Sequence, residues 1–153
     1  MERKKILLPD SYQRAISSAL SVVEELLLEM ERLLEGKNPH RIFTKIENNI
    51  PGKNRILIKE EINNLWNQLK DIKDILDIKP ETISENILIS SRCGRIWEIL
   101  CDLESKSLQR YGDPPERLPE FLDERVKNLI NHIKGIAELT GKREESKFGK
   151  PEK

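Results

Sequence analysis

Apolar residues recur three and four positions apart along most of this chain. The clearest run lies between Arg55 and Pro80, in steps of 4, 3, 4, 3 and 4: Ile58, Ile62, Leu65, Leu69, Ile72 and Leu76. This spacing is typical of an α-helix that packs along one side against other helices. No segment shows a convincing strand pattern. The spacing therefore predicts an all-α protein.

The same spacing, with capping and stop signals, predicts four long helices. The first is expected from Asp10 or Ser11 to Gly36, and the second from a residue between Arg55 and Lys59 to Pro80. The third begins at a capping box formed by Thr82 and Glu85 and ends at Gly112. The fourth begins between Pro115 and Pro119 and ends at Gly141. Between the first two, Pro39 could open a short helix that ends near Ile50, with Pro51-Gly52 as a turn. We expect an up-and-down four-helix bundle with this additional short helix, or a long connection in its place.

The length of 153 residues fits a single domain. We expect one helical domain over residues 1–141, followed by a disordered tail over residues 142–153, which is rich in charge and contains Gly149 and Pro151.

Composition limits the classes of partner and compartment. Lys+Arg and Asp+Glu are balanced at 27 each, so the chain lacks the basic excess of many nucleic-acid-binding proteins. Strictly apolar runs reach only about three residues, far short of the ~20 of a membrane helix. Cys93 and Cys101 lie about 12 Å apart along one predicted helix, too far for a disulfide if that helix is continuous. We expect a cytoplasmic protein with no membrane partner.

Common enzyme motifs are missing from the sequence. There is no phosphate-binding glycine loop, no HExxH, no CxxC and no Glu-x-x-His pair of the kind that di-iron bundles need twice. The two cysteines and two histidines have no zinc-ligand spacing. We therefore expect no cofactor and no metal.

Arg125 and His132 form the one catalytic candidate. They lie seven residues apart on the last predicted helix and so project from nearly the same side. An Arg and a His with four to six residues between them resemble the signature of the HEPN superfamily, small helical bundles of which many cleave RNA. The resemblance implies that His132 would act as base on a ribose 2′-hydroxyl and Arg125 would bind the scissile phosphate. The residue after the Arg is often polar in that superfamily, whereas here it is Val126, and the pair flanks the apolar stripe of the helix. Our first interpretation is therefore that both are boundary residues, with His132 half packed and Arg125 in an ion pair.

Small residues interrupt the third predicted helix. Ser90, Ser91 and Gly94 indicate either a close crossing with another helix or room for a ligand. In the second interpretation Ser90, Gly94 and Trp97 are the ligand-binding candidates. In the first, Trp97 and Trp66 are core residues.

The sequence combines apolar stripes along its helices with an absence of catalytic motifs. This combination favours a non-enzymatic bundle that acts through protein–protein contacts. Strict heptads on two helices could supply more apolar surface than one bundle buries, so we expect a protein partner or self-association as a homodimer. The alternative is a HEPN-like RNA-cleaving or toxin-type bundle that uses Arg125 and His132; a nucleic-acid partner is otherwise not favoured.

Overall fold

The structure is a computed structural model that describes residues 4–37 and 40–141, and this part of the chain is all-helical. Its helices are α1 (Asp10–Leu34), α2 (Gly52–Ile75), α3 (Glu85–Cys101), α4 (Ser105–Leu108) and α5 (Leu118–Thr140), with a 3₁₀ turn at Gln109–Tyr111. The described residues contain no strand and no helix long and apolar enough to cross a membrane. The predicted all-α class is confirmed, and α1, α2, α3 and α5 correspond to the four expected long helices.

The chain divides into two compact units, Met1–Pro80 and Glu81–Lys153. The first contains α1 and α2, and the second contains α3, α4 and α5. The single domain over residues 1–141 and the up-and-down bundle arrangement stay predictions. The tail over residues 142–153, expected to be disordered, lies outside the described residues.

In the first unit α1 and α2 pack against each other. Leu27 of α1 and Ile62 of α2 are buried. Beside them the indole Nε1 of half-buried Trp66 donates a hydrogen bond of 2.9 Å to Glu31 Oε2. The bond lets the polar edge of a large aromatic ring sit at the helix–helix contact without an unpaired donor. Trp66 therefore joins the two helices by apolar packing and by a polar contact.

The expected stop of α1 at Gly36 has a specific geometry. The N–H of Lys37 donates to Arg32 O at 3.1 Å and the N–H of Gly36 to Leu33 O at 3.2 Å. Gly36 has a φ of 70°. This is the Schellman arrangement, in which a left-handed residue turns the chain back over the last carbonyls. At the other end Pro9 is the N-cap and no side chain caps α1, so neither Asp10 nor Ser11 has the expected capping role.

The second helix is displaced towards the N-terminus relative to its predicted limits. It begins at Gly52, directly after Pro51, so the predicted Pro51-Gly52 turn is the first turn of the helix. It ends before Pro80, because Asp77 has a φ of 51° and its N–H bonds Asp74 O. Asp tolerates the left-handed region better than most residues, which is why the stop carries no glycine.

The short helix favoured between α1 and α2 does not form. Residues 40–50 have no helical segment, while residue 39 is outside the described part. Ile42 and Phe43, which would lie on the apolar face of such a helix, are exposed. A single short helix is unstable in water unless its apolar face packs. Arg55 stabilises the open connection instead: it donates to Leu34 O at 3.0 Å, to Ile50 O at 3.3 Å and to the side-chain oxygen of Asn48.

The third long helix is shorter than expected. It begins at Glu85 with Ser84 as N-cap and no side-chain cap, so Thr82 is not the capping residue. It ends at Cys101, where the N–H groups of Asp102 and Leu103 bond carbonyls three residues back. Such bonds tighten the final turn. The chain from there to Gly112 continues as α4 and the 3₁₀ turn.

In the second unit α3 and α4 both pack on α5. Cys93 of α3 and Val126 of α5 are buried. Cys93 and Cys101 are free thiols on the same helix, as the sequence predicted.

Candidate functional site

Arg125 lies on the exposed side of α5 and contacts an aromatic ring. Its guanidinium carbon is 4.0 Å from the centroid of Phe121, one turn earlier in the helix. A guanidinium over a ring face is attracted by the negative face of the ring. The contact draws the charged end of Arg125 towards the N-terminus of α5.

His132 is exposed on the same side of α5. Seven residues correspond to about 10 Å along the helix axis. Because the Arg125 guanidinium is drawn towards Phe121, the described structure does not bring the two side chains together within one subunit. His132 is also not the half-packed boundary residue that the sequence suggested, since it is exposed.

A second apolar stripe runs along this side of α5. Its exposed members retain 55% (Phe121), 48% (Leu129), 45% (Ile136) and 87% (Leu139) of their surface. Half-buried Leu118 and the exposed residues Arg125 and His132 lie in the same stripe. All seven residues fall within an arc of about 80° around the helix axis at 3.6 residues per turn. Buried Val126 lies on a different side of the helix. Helix α5 therefore packs on α3 with one side and carries a separate apolar side.

The sequence alone does not distinguish this second stripe as a surface of its own. By spacing alone, Leu129 and Ile136 belong to one apolar stripe with Val126, and Phe121 flanks that stripe. The spacing that separates the two sets is present in the sequence, in steps of 3, 4, 4, 3, 4 and 3 from Leu118 to Leu139. Only the position of α3 shows which of the two sides is covered within the unit.

Asp123 connects α4 to α5. Its carboxylate accepts a hydrogen bond of 2.9 Å from the backbone N–H of Ser105 and one of 2.7 Å from the Ser105 hydroxyl. The hydroxyl and then the backbone N–H of Ser105 hold the pKa of Asp123 below its usual value. Both bonds favour the ionised carboxylate. They position the first residue of α4 and so fix the segment that leads into α5.

Of the ligand-binding candidates of α3, Ser90 is half-buried, and Gly94 and Trp97 are exposed. A Cβ added to Gly94 would meet no atom within 4 Å, so no helix of the described chain crosses closely at this glycine. The Ser90 hydroxyl donates to Ile87 O of its own helix at 3.4 Å. Trp97, expected in the core, is exposed on nearly half of its surface. The close crossing and the core position of Trp97 are thus both corrected.

A cleft of about 970 Å³ lies in the first unit, between the end of α1, the connection and the start of α2. His40, Arg41 and Lys45 contribute to its lining, together with Glu35 and Glu47. The charges are mixed, and the cleft opens to solvent. It results from the open connection that replaces the expected short helix.

Among the described residues no group of three or more His, Cys, Asp and Glu side chains could hold a metal ion. Comparison with protein-family models, with curated proteins and with solved structures finds no similar protein. The exposed side of α5 is the candidate site, because its exposed apolar side chains lie there together with Arg125 and His132.

Proposed function

We propose that this chain is a non-enzymatic helical protein that acts through protein–protein contact and associates with itself. The observation that carries the proposal is the second apolar stripe of α5. It is continuous along the helix and lies beside the side on which Val126 is buried.

Covering this stripe would be favourable. Full burial of a Leu, Ile or Phe side chain is worth about 1.5–3 kcal/mol. Four side chains that are about half exposed, or more, would therefore gain on the order of 4 kcal/mol per copy from a partner that excludes water. Continuous apolar patches on soluble proteins mark contact surfaces more often than isolated exposed residues do.

The charge of the chain suits a protein partner. Its formal net charge is zero, so two copies do not repel one another at long range. A polyanion would meet no general excess of positive charge. The stripe itself contains five apolar positions, one of them between Arg125 and His132 and two on either side of that pair.

Sedimentation velocity over a hundredfold range of protein concentration tests the proposal. We expect a concentration-dependent shift from monomer to dimer in the micromolar range. A monomer throughout that range would overturn self-association. Circular dichroism of the same samples checks that helix content is unchanged across the range.

A second proposal uses the same surface for catalysis. The observation that favours it is that Arg125 and His132 are both exposed on one side of α5, as the resemblance to the HEPN superfamily requires. It predicts cleavage of single-stranded RNA by the purified chain, lost in both Arg125→Ala and His132→Ala. Asn131→Ala is the matched control. If cleavage is absent, or equal in all four proteins, the catalytic proposal is wrong.

A further inference from the structure

We propose that the partner at the α5 stripe is a second copy of this chain. In this arrangement two α5 helices pack antiparallel about a two-fold axis near Leu129, with Arg125 opposite His132 of the partner subunit. This inference rests on the proposed function and specifies its surface and its symmetry.

Apart from Leu129, the stripe has the same spacing when read from either end, in steps of 3, 4, 7, 4 and 3. Leu118 and Leu139, Phe121 and Ile136, and Arg125 and His132 form three pairs centred between positions 128 and 129, so Leu129 lies directly beside that centre. Two antiparallel copies of a helix place such paired positions opposite each other. Apolar residues then meet apolar residues at both ends, and Leu129 lies beside its own copy close to the axis. A two-fold interface requires this self-complementarity.

The polar pair favours the antiparallel over the parallel arrangement. In a parallel pair Arg125 would face Arg125 of the partner subunit, and two cations would repel each other. In the antiparallel pair Arg125 faces a histidine ring, whose neutral form has a nitrogen that accepts a hydrogen bond. The Arg125 guanidinium already lies over Phe121 on this side of the helix.

The area of the stripe is adequate for a small specific interface. At the fractional exposures above, its apolar members expose on the order of 400 Å² per copy, and the stems of Arg125 and His132 add to this. Patches of about 300–600 Å² are often functional. Two copies with these stems reach the lower end of specific interfaces, about 1,200 Å² in total. We therefore expect a reversible dimer.

A charge substitution at His132 tests the cross-subunit pair. On α5 the residues three and four positions away are Asn128, Leu129, Gly135 and Ile136, so a carboxylate at position 132 has no charged neighbour of its own helix at these spacings. The antiparallel dimer contains position 132 twice, so His132→Glu would place two carboxylates at the interface, each opposite Arg125 of the partner subunit. We expect the dissociation constant to fall about three- to tenfold, as two exposed ion pairs predict.

The control variant for this experiment is Asn131→Glu. It adds the same charge one residue away, outside the stripe, and should leave the dissociation constant unchanged. Leu129→Glu places a charge at the axis and should weaken the dimer at least tenfold, with unchanged helix content by circular dichroism. Sedimentation equilibrium of the full chain measures all three.

Cysteine variants test the direction of packing. Leu129→Cys should form a disulfide-linked dimer on mild oxidation, because position 129 lies beside its own copy close to the axis. Phe121→Cys should not exceed the background of the parent chain, since position 121 faces Ile136 of the partner subunit. The parent, with buried Cys93 and half-buried Cys101, gives that background.

The outcomes separate the two proposals. A monomer at every concentration overturns self-association and this interface together. A dimer that is insensitive to Leu129→Glu, or that His132→Glu does not strengthen relative to Asn131→Glu, overturns this interface and leaves self-association standing. Efficient self-crosslinking of Phe121→Cys overturns the antiparallel arrangement.

Discussion

The guanidinium carbon of Arg125 lies 4.0 Å from the centroid of the Phe121 ring, one helical turn away on α5. This contact orders a long charged side chain on an otherwise apolar side of the helix. Exposed cation–π contacts contribute about 0.5–1 kcal/mol. We predict that Phe121→Leu, which keeps an apolar side chain but removes the ring, lowers the free energy of unfolding by this amount.

Urea denaturation at one fixed protein concentration measures this effect, because association also changes apparent stability. Phe43→Leu, in the exposed connection before α2, is the matched control and should change the free energy of unfolding by less. Equal effects of the two substitutions would show that the ring contact contributes nothing.

Among the described residues of the second unit, Val126 is the most deeply buried apolar residue, with 1% of its surface exposed. Val126→Ala removes two buried carbon groups and leaves a cavity. We predict a loss of about 2 kcal/mol in the free energy of unfolding. Val22→Ala makes the same change at a helical position that is 59% exposed and should stay within about 0.5 kcal/mol. Thermal or urea unfolding that fails to separate the two variants would contradict the assigned core.

Gly94 and Gly36 respond oppositely to the same substitution. Gly94 lies inside α3, and a Cβ there would meet no atom within 4 Å. Alanine in a helix interior is about 1 kcal/mol better than glycine, so Gly94→Ala should stabilise the protein. Gly36 has a left-handed φ of 70°, and Gly36→Ala should destabilise it by about 1 kcal/mol. Destabilisation by Gly94→Ala would indicate a close neighbour at this glycine.

The Asp123–Ser105 pair makes stability depend on pH. Because the folded state lowers the pKa of Asp123, its contribution to stability is fully present above the pKa of the unfolded carboxyl. It is lost as pH falls through the lower folded value. We predict that Asp123→Asn is destabilising near neutral pH and that its difference from the parent shrinks below about pH 4.

Urea unfolding of the parent and of Asp123→Asn at a series of pH values measures this difference. Ser105→Ala should show the same trend, since it removes the donor of the shorter bond. A difference between parent and variant that is constant with pH would contradict the assigned role of the carboxylate.

The hydrogen bond from Trp66 Nε1 to Glu31 Oε2 couples α2 to α1 at 2.9 Å. We predict that Glu31→Ala costs about 1 kcal/mol of stability, because it leaves the indole donor without its partner at a half-buried site. Glu31→Gln, which keeps an acceptor, should cost less, and Glu29→Ala on the exposed side of α1 is the control. Urea unfolding, with tryptophan fluorescence as the signal, measures the three. An equal cost for Glu31→Ala and Glu29→Ala would contradict this contact.

The residues of the candidate site could be predicted from the sequence, but their arrangement on α5 could not. Arg125 and His132 were identified from their spacing, and the exposed stripe around them is also a spacing pattern. What the spacing could not show is which side of α5 is covered by α3, since two apolar sides of one helix look alike until a neighbour packs on one of them. The positions of Gly94 and Trp97 were misjudged for the same reason.

The sequence by itself determined the helical class, the four long helices and the end of α1 at Gly36. These follow from periodicity and backbone preference, which act between residues close in the chain. The tertiary structure decided where α3 ends, that residues 40–50 do not form a helix, and which apolar residues are left exposed. Those outcomes depend on contacts between distant residues, such as Asp123 with Ser105 and Arg55 with Leu34. A local pattern can favour a short helix, but the helix is stable only when its apolar face packs against another part of the protein.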